Sequence, residues 1–570
     1  MQLSSPKSEL KKRYQIVVIG SGYGGSIAAS RLARAGQEVC LLERGRELQP
    51  GDYPNSELEL AKETQMNTPL GRVGSKTALN EYHVNDEMTV LVGCGLGGGS
   101  IINGNVALRT DPRIFEHPDW PQPFREDVTT RLARGYELAE QMLGTTTYPD
   151  NFPTVAKFEA LQKTAAALNA NFYPAPMNVT FKDGPNVVGI EQKACRLCGD
   201  CMTGCNYHAK NTLIMNYLPD AKKHGARIFT EIEVHHLARS DGEWTVHCRI
   251  LGDSDAAKAQ PERIIKAGLV ILAAGTLGST KIMFRSRQAG LALSPQLGHH
   301  FSGNGDVGAF AYNNDVPVNA VGTGPKAASK PPVGPLINGV IDTRPQVDNW
   351  QEGLVIQEGT FPSAAALPLA KGLKVMATAS GKDTDKGLVD KLKEKYREWV
   401  SFFRGPYHGA VHHTLMWLVM THDDSRGRLV LEKDRIRIIW PDIGDQPFAK
   451  RINDFLRRGT AVLGGTFVSN PLWSLLADRP MVTSHPLGGC PMGEDAWRGV
   501  VNHKGQVFSG DGGTAVHEGL YICDGSVIPH SIGVNLMLTI SAMTERAIAI
   551  LAEERGWQID YRLRGYDNSN

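Results

Sequence analysis

The chain has 570 residues, 41% hydrophobic and 21% charged, with a formal net charge of +1. That length exceeds one ordinary core and implies two or more domains, or one large bilobed unit. A balance this close to neutral leaves no global field for nucleic acid, and no apolar run reaches the roughly eighteen residues a spanning helix needs. Residues 1–14 are polar and basic, without the apolar stretch of a secretory signal. Nine cysteines are present, an odd number. In an unsecreted chain they read as thiols or metal ligands rather than a disulfide framework. The expected setting is cytoplasmic and reducing.

Gln15 to Gly20 (QIVVIG) is a short β-branched run. Gly20-Ser21-Gly22-Tyr23-Gly24-Gly25 follows, then a helical stretch from Ser26 to Ala35 and a second strand, Val39 to Leu42, ending at Glu43. Gly20, Gly22 and Gly25 form GxGxxG between strand and helix. The first glycine allows the turn, the second lets backbone approach a pyrophosphate, and the third permits close helix–strand packing. The pyrophosphate would sit on the helix N-terminus, where free N–H groups favour anions. Glu43 is placed to bond a ribose 2′-hydroxyl, which suits FAD or NAD.

A second glycine cluster, Gly93 to Gly99, precedes Ser100 and Asn103. Cys195, Cys198, Cys201 and Cys205 then form C-x2-C-x2-C-x3-C, the spacing of a bacterial ferredoxin run except that Asn206 replaces the usual proline. Three readings stay open: an iron–sulfur cluster ([3Fe-4S] or [4Fe-4S]) on three or four of these cysteines, a structural zinc, or unmetallated thiols. Cys40, Cys94, Cys248, Cys490 and Cys523 read as buried small hydrophobes.

Further on, a strand over 268–272 leads into Ala273-Ala274-Gly275. Residues 364–376, small and apolar with two lysines, read as a mobile access loop. Leu388 to Phe403 is amphipathic: it either packs on its own domain or lies on a membrane or over an apolar substrate. Near the C-terminus, Ser484-His485-Pro486 and Asp524-Gly525-Ser526 bring polar side chains into apolar, glycine-bounded sequence. Histidine can accept a proton near neutrality. The amide of Asn535 can hold a hydroxyl or a cofactor edge without adding charge.

In order, VVIGSGYGGSIAASRL, LVGCGLGGGSIINGNVAL, VILAAGTLGST, SHPLGGCPMG and GLYICDGSVIPHSIGVNLMLTISAMTERA resemble the glucose–methanol–choline oxidoreductases, and most closely their cholesterol-oxidase-like branch. The resemblance implies an α/β fold. A Rossmann-type FAD domain is assembled from 12–120, 224–305 and 480–555. A sheet-containing α+β substrate domain comprises 121–223 and 306–479 and carries the cysteine run. It implies noncovalent FAD. Gly97, Gly98, Gly99, Ser100 and Asn103 would lie along the flavin and its phosphates, and Asp524 and Gly525 near the ribityl–pyrophosphate. Val234, Ala274 and Gly275 are further cofactor-binding candidates.

The resemblance makes His485 and Asn535 the active-site pair, and Glu358 a candidate for the glutamate that moves a proton during steroid isomerisation. Position 535 is Asn where glucose-oxidase-like members often carry a second histidine, and Leu536 stands where relatives usually have proline. The implied reaction oxidises a bulky, apolar, sterol-like or terpenoid alcohol to its carbonyl. Electrons would leave to a protein or quinone acceptor through the cluster, or to oxygen without one. A flavin lyase or decarboxylase on the same fold is the alternative. Peripheral membrane contact is a further expectation.

Overall fold

The computed structural model describes residues 2–252, 262–325, 330–384, 387–470 and 481–563. Its frame grows from the N-terminal unit: β1 (Arg13–Ile19), α1 (Tyr23–Arg34) and β2 (Val39–Leu42). β1 runs parallel to β2 on one side and to the strand Arg263–Leu272 on the other. Helices cover such strands on both faces, which is why Ile16 to Ile19 and Val39 to Leu42 read as unbroken apolar runs. The strand Val516–Ile522 pairs parallel to Arg263–Leu272. Ile232–Ser240 and Glu243–Ile250 extend the edge as an antiparallel pair, within a sheet of eight strands.

The turn after β1 needs its glycines for different reasons. Gly20 has a φ of 94°, which a side chain would strain. A Cβ on Gly25 would stand 1.9 Å from the Gly20 carbonyl oxygen, so α1 reaches β1 only over a bare Cα. The C-terminal helix Met537–Glu554 is tied to α1 by a buried ion pair, with Arg31 donating to both carboxylate oxygens of Glu545.

A second, antiparallel sheet of seven strands takes its strands from Phe172–Pro174 and from between 307 and 468. The helices Ala156–Ala167 and Pro447–Leu463 pack against it. From this sheet Phe310, Met416, Leu418 and Met420 reach the cavity between the two sheets. Alternation along the strand Leu415–Met420 accounts for the last three sharing a face.

The stretch expected to be an access loop is mostly helical, Ala366–Ser380. Its alanines, leucines, lysines and methionine are strong helix formers, and that propensity outweighs the small-residue signal. Among the described residues, no helix is long and apolar enough to cross a membrane.

Candidate functional site

One cavity of about 1330 Å³ runs between the glycine-rich turns and the seven-stranded sheet. Gly20, Gly22, Glu43, Gly98, Gly99, Asn103, Val234, Ala274, Gly275, Asp524 and Gly525 all line it. Gly25, Gly97 and Ser100 stand behind the wall. Gly25 is consumed in helix packing, Gly97 supplies a left-handed turn (φ 104°), and the Ser100 hydroxyl donates to Gly97 O while accepting from Leu213 N. In this structure they shape the loop behind the cavity wall.

The wall is suited to an anion. A Cβ on Gly22, Gly99 or Gly275 would meet nothing within 4 Å, so bare backbone faces open space there. The N-terminus of α1 has no side-chain cap, which leaves its first N–H groups for a ligand. Glu43 accepts from the backbone N–H and hydroxyl of Ser21 and from Gly45 N, which fixes its carboxylate at the end of β2. Asp524 bridges two turns, accepting from Gly275 N and Ser279 on one oxygen and from Ser526 on the other. Burial raises its pKa.

At the other end the cavity is walled by His485, Asn535, Asp306 and Gln357, beside the apolar Phe310, Leu336, Met416 and Leu418. Asp306 was not among the residues picked out from sequence. Its two carboxylate oxygens lie 2.8 and 2.9 Å from His485 Nδ1. A carboxylate there holds the ring proton on Nδ1 and leaves Nε2 as the basic nitrogen. The Asp306 carboxylate also accepts from Thr483 and from Ser484 N, which orients it. Gln357, likewise missed, donates from Nε2 to Asn535 Oδ1 at 2.7 Å. An aspartate 179 positions and a glutamine 178 positions from their partners carry no local signal for these pairings, which arise only where distant segments converge.

Glu358 is a correction. It sits next to Gln357 on the strand Val355–Gly359, and successive side chains point to opposite faces. Gln357 therefore reaches the cavity, while Glu358 is fully buried behind it. There it accepts from Lys157 Nζ (3.3 Å), Asn338 N and Gly339 N. A carboxylate so enclosed does not line the cavity.

The four cysteines of the run line one small separate hollow, together with Tyr207, Ala209 and Lys210. The loop is tightly wound: Leu197, Gly199 and Gly204 all have positive φ, of 56°, 82° and 99°. Strain at a leucine persists only where the surroundings impose it. Leu197 N donates to Cys195 Sγ at 3.4 Å. Burial raises the pKa of Cys195, Cys198 and Cys201. Among the described residues, the groups whose ligand atoms gather within 4.8 Å of one another lie elsewhere. A tetrahedral zinc needs sulfurs about 3.8 Å apart, given Zn–S bonds near 2.3 Å. A cluster, with its irons spread between the thiolates, takes a wider ring.

Lys210 joins this loop to the main cavity. Its Nζ is buried and donates to Ile101 O (2.7 Å), Asn103 O (2.9 Å) and Cys201 O (3.0 Å). No carboxylate pairs with it among the described residues. Burial lowers its pKa to about 8, against the opposing pull of Cys201 and Cys205. The other five cysteines are buried, as their apolar settings imply.

Family models described as GMC oxidoreductase match residues 14–302 and 465–544. The chain is 28% identical to a cholesterol oxidase of Mycobacterium tuberculosis, over 95% of this chain and 91% of that one. It is 27% identical to a cholesterol oxidase of Acinetobacter baumannii, over 94% of each. A long-chain-alcohol oxidase of Arabidopsis thaliana is 23% identical over 93% of this chain and 66% of its own length. In fold it is similar to pyridoxine 4-oxidase from Mesorbium loti (TM-score 0.60, 15% identity, 95% and 99% covered). A fungal aryl-alcohol oxidase gives a TM-score of 0.59 at 15% identity, with 96% and 100% covered.

Proposed function

Because the chain belongs to the GMC oxidoreductase family, whose members bind FAD and oxidise alcohols, we propose that it converts a bulky apolar alcohol to its carbonyl with His485 as base. The observation that carries this reading is the Asp306–His485 pair at the apolar end of a cavity whose opposite end is an anion cradle. FAD, when bound, supplies a two-electron hydride acceptor. Gly22, Gly98, Gly99 and Gly275 would hold it by backbone, with Glu43 at its ribose and Asp524 at the turn between Gly275 and Ser526.

The protein's own work is at the hydroxyl. His485 Nε2 takes the O–H proton as the carbon gives up its hydride, and the Asp306 carboxylate stabilises the resulting imidazolium. Asn535, held by Gln357, presents its amide N–H to the substrate oxygen. Phe310, Leu336, Met416 and Leu418 exclude water and favour an apolar skeleton. A sterol or a long-chain alcohol fits those walls, in keeping with the relatives' substrates.

The test is anaerobic flavin reduction by cholesterol and by long-chain alcohols. His485→Ala is expected to keep FAD bound yet slow reduction by about 10²–10⁴-fold, with Asp306→Asn losing a comparable share. Full-rate reduction by His485→Ala would overturn the assignment.

A second observation favours a metal in the cysteine hollow. Lys210 places a buried ammonium beside four thiols with no carboxylate to balance it. An anionic iron–sulfur cluster on Cys195, Cys198, Cys201 and Cys205 would balance it, and would supply a one-electron carrier for a protein or quinone acceptor. Iron analysis and EPR on anaerobically purified protein test this. Flavin without iron would leave a cluster-free, oxygen-using oxidase.

A further inference from the structure

The helix Leu388–Arg404 has no buried residue. Leu388, Leu392, Tyr396, Trp399, Phe402 and Phe403 are each between 62% and 83% exposed. At 3.6 residues per turn they form one stripe. Its edges are cationic: Lys391 and Lys395 border one side, Lys393 and Arg404 the other, and all four are exposed. The helix's three acids, Asp390, Glu394 and Glu398, are half-buried on the inner face with Arg397.

Polar contacts hold that inner face to the protein. Arg397 donates to Asn313 and pairs with Asp315, and the Ser401 hydroxyl donates to His408 O and accepts from Val411 N. The preceding helix, Ala366–Ser380, follows the same sorting, since its only charged residues, Lys371 and Lys374, are both exposed. Every exposed charge on the two helices is therefore positive, in a chain whose net charge is only +1. Leu373 and Ala366 pack in one cluster with Phe310 and Met416, which line the catalytic cavity. Lys374 of that helix reaches the striped one, with its Nζ 4.0 Å from Glu398.

We propose that this face docks on an anionic phospholipid bilayer, with Tyr396, Trp399, Phe402 and Phe403 inserted at headgroup depth and the flanking lysines on lipid phosphates. An aromatic stripe between two cationic edges is the arrangement of a helix lying in the membrane interface. A partner protein groove would leave the two cationic edges without a common counterpart, whereas a plane of anionic headgroups meets both at once. The proposal deepens the reading of an apolar alcohol substrate, because such a molecule resides in the bilayer, but the docking needs no substrate to be measured.

The experiment is sedimentation of the FAD-loaded protein with phosphatidylcholine vesicles, with and without added phosphatidylglycerol. Wild type is expected to sediment with the anionic vesicles and to be released by salt. Replacing Lys391, Lys393 and Lys395 by glutamine should lower the anionic partition at least about ten-fold. Tyr396→Ser with Trp399→Ser and Phe403→Ser should abolish binding to both vesicle types. Both variants change only solvent-facing side chains, and both should keep turnover of a water-soluble alcohol. Equal binding to the two lipids, or no wild-type binding, would overturn the proposal. So would a wild-type dimer that the serine variant converts to monomer without any vesicle binding. Loss of alcohol turnover with intact sedimentation would instead indict the functional reading and leave the docking surface standing.

Discussion

Two buried ammonium groups lie in neighbouring parts of the molecule and are solved differently. Lys157, behind the substrate sheet, meets a carboxylate: Nζ is 3.3 Å from Glu358, with Pro335 O, Leu336 O and Asn338 Oδ1 completing its shell. Lys210, between the flavin-side loop and the cysteine loop, has three neutral carbonyls and no acid among the described residues. Burying a charge without a counterion is costly. The first site is electrostatically closed by the chain itself, and it has no contact with the cavity. The second has only neutral partners among the described residues, and it sits against four cysteines. Closure suits a structural pair, and the open site is where the cluster proposed above would supply the missing negative charge.

The largest expected effect tests the closed site. Lys157→Met leaves Glu358 buried and unpaired, and should cost about 3–5 kcal/mol of stability. The double variant Lys157→Met with Glu358→Leu should recover most of it, as read by denaturant melts. A Glu358→Gln enzyme that folds but loses only the steroid-isomerising step would break the comparison, since it would make that glutamate a reacting group.

A smaller stability effect is expected at the open site. Lys210→Met removes an uncompensated charge and leaves three carbonyls unmet, two terms that offset each other to within about 2 kcal/mol. Its larger consequence should be the loss of most bound iron while FAD is retained, measured as iron per flavin. Iron retention unchanged in this variant would remove the argument that the ammonium and a cluster belong together.

An effect that vanishes at neutral pH sharpens the rule with a buried base that meets burial by a third route. His422 lies under the Asn535 turn, and among the described residues its ring hydrogen-bonds with Ser531. Burial pushes its pKa from 6.5 down to about 3, so it stays neutral in the folded protein. The unfolded chain binds that proton below about pH 6.5, and the folded one does not until about pH 3. Stability from this group is therefore full above pH 6.5 and falls as pH drops through that window, by at most about 1.4 kcal/mol per pH unit. His422→Gln should flatten the acid limb of a pH–stability curve.

Much of the flavin half was legible from the residues alone. GxGxxG between an apolar strand and a helix, with Glu43 ending the next strand, is a local pattern, and its geometry follows from backbone sterics within about thirty residues. His485 and Asn535 also stood out, because polar side chains between glycines in apolar sequence are conspicuous. Asp306 and Gln357 did not, because their partners lie 179 and 178 positions away. Glu358 was misread for a related reason. Sequence placed the segment correctly, but a one-residue difference on a strand decides which face a side chain takes, and only pairing with Leu415–Met420 fixes that register.

The amphipathic helix shows the same division. Its stripe and its lysines are written in the period of the sequence, because 3.6 residues per turn sorts them whatever the neighbours are. Which side of that helix meets the protein was not. Tertiary structure turned Arg397 toward Asn313, Ser401 toward His408 and Glu398 toward Lys374 and left the aromatics outside, because those inner contacts are polar and satisfy that edge of the helix. Sequence by itself thus marked the glycine-rich turns and the helix pattern, set by short-range spacing, and, through the resemblance of the surrounding motifs, His485 and Asn535. Only the tertiary structure decided the partners across strands, the counterion of each buried lysine and the face left to solvent, because those depend on which distant segments the fold brings together.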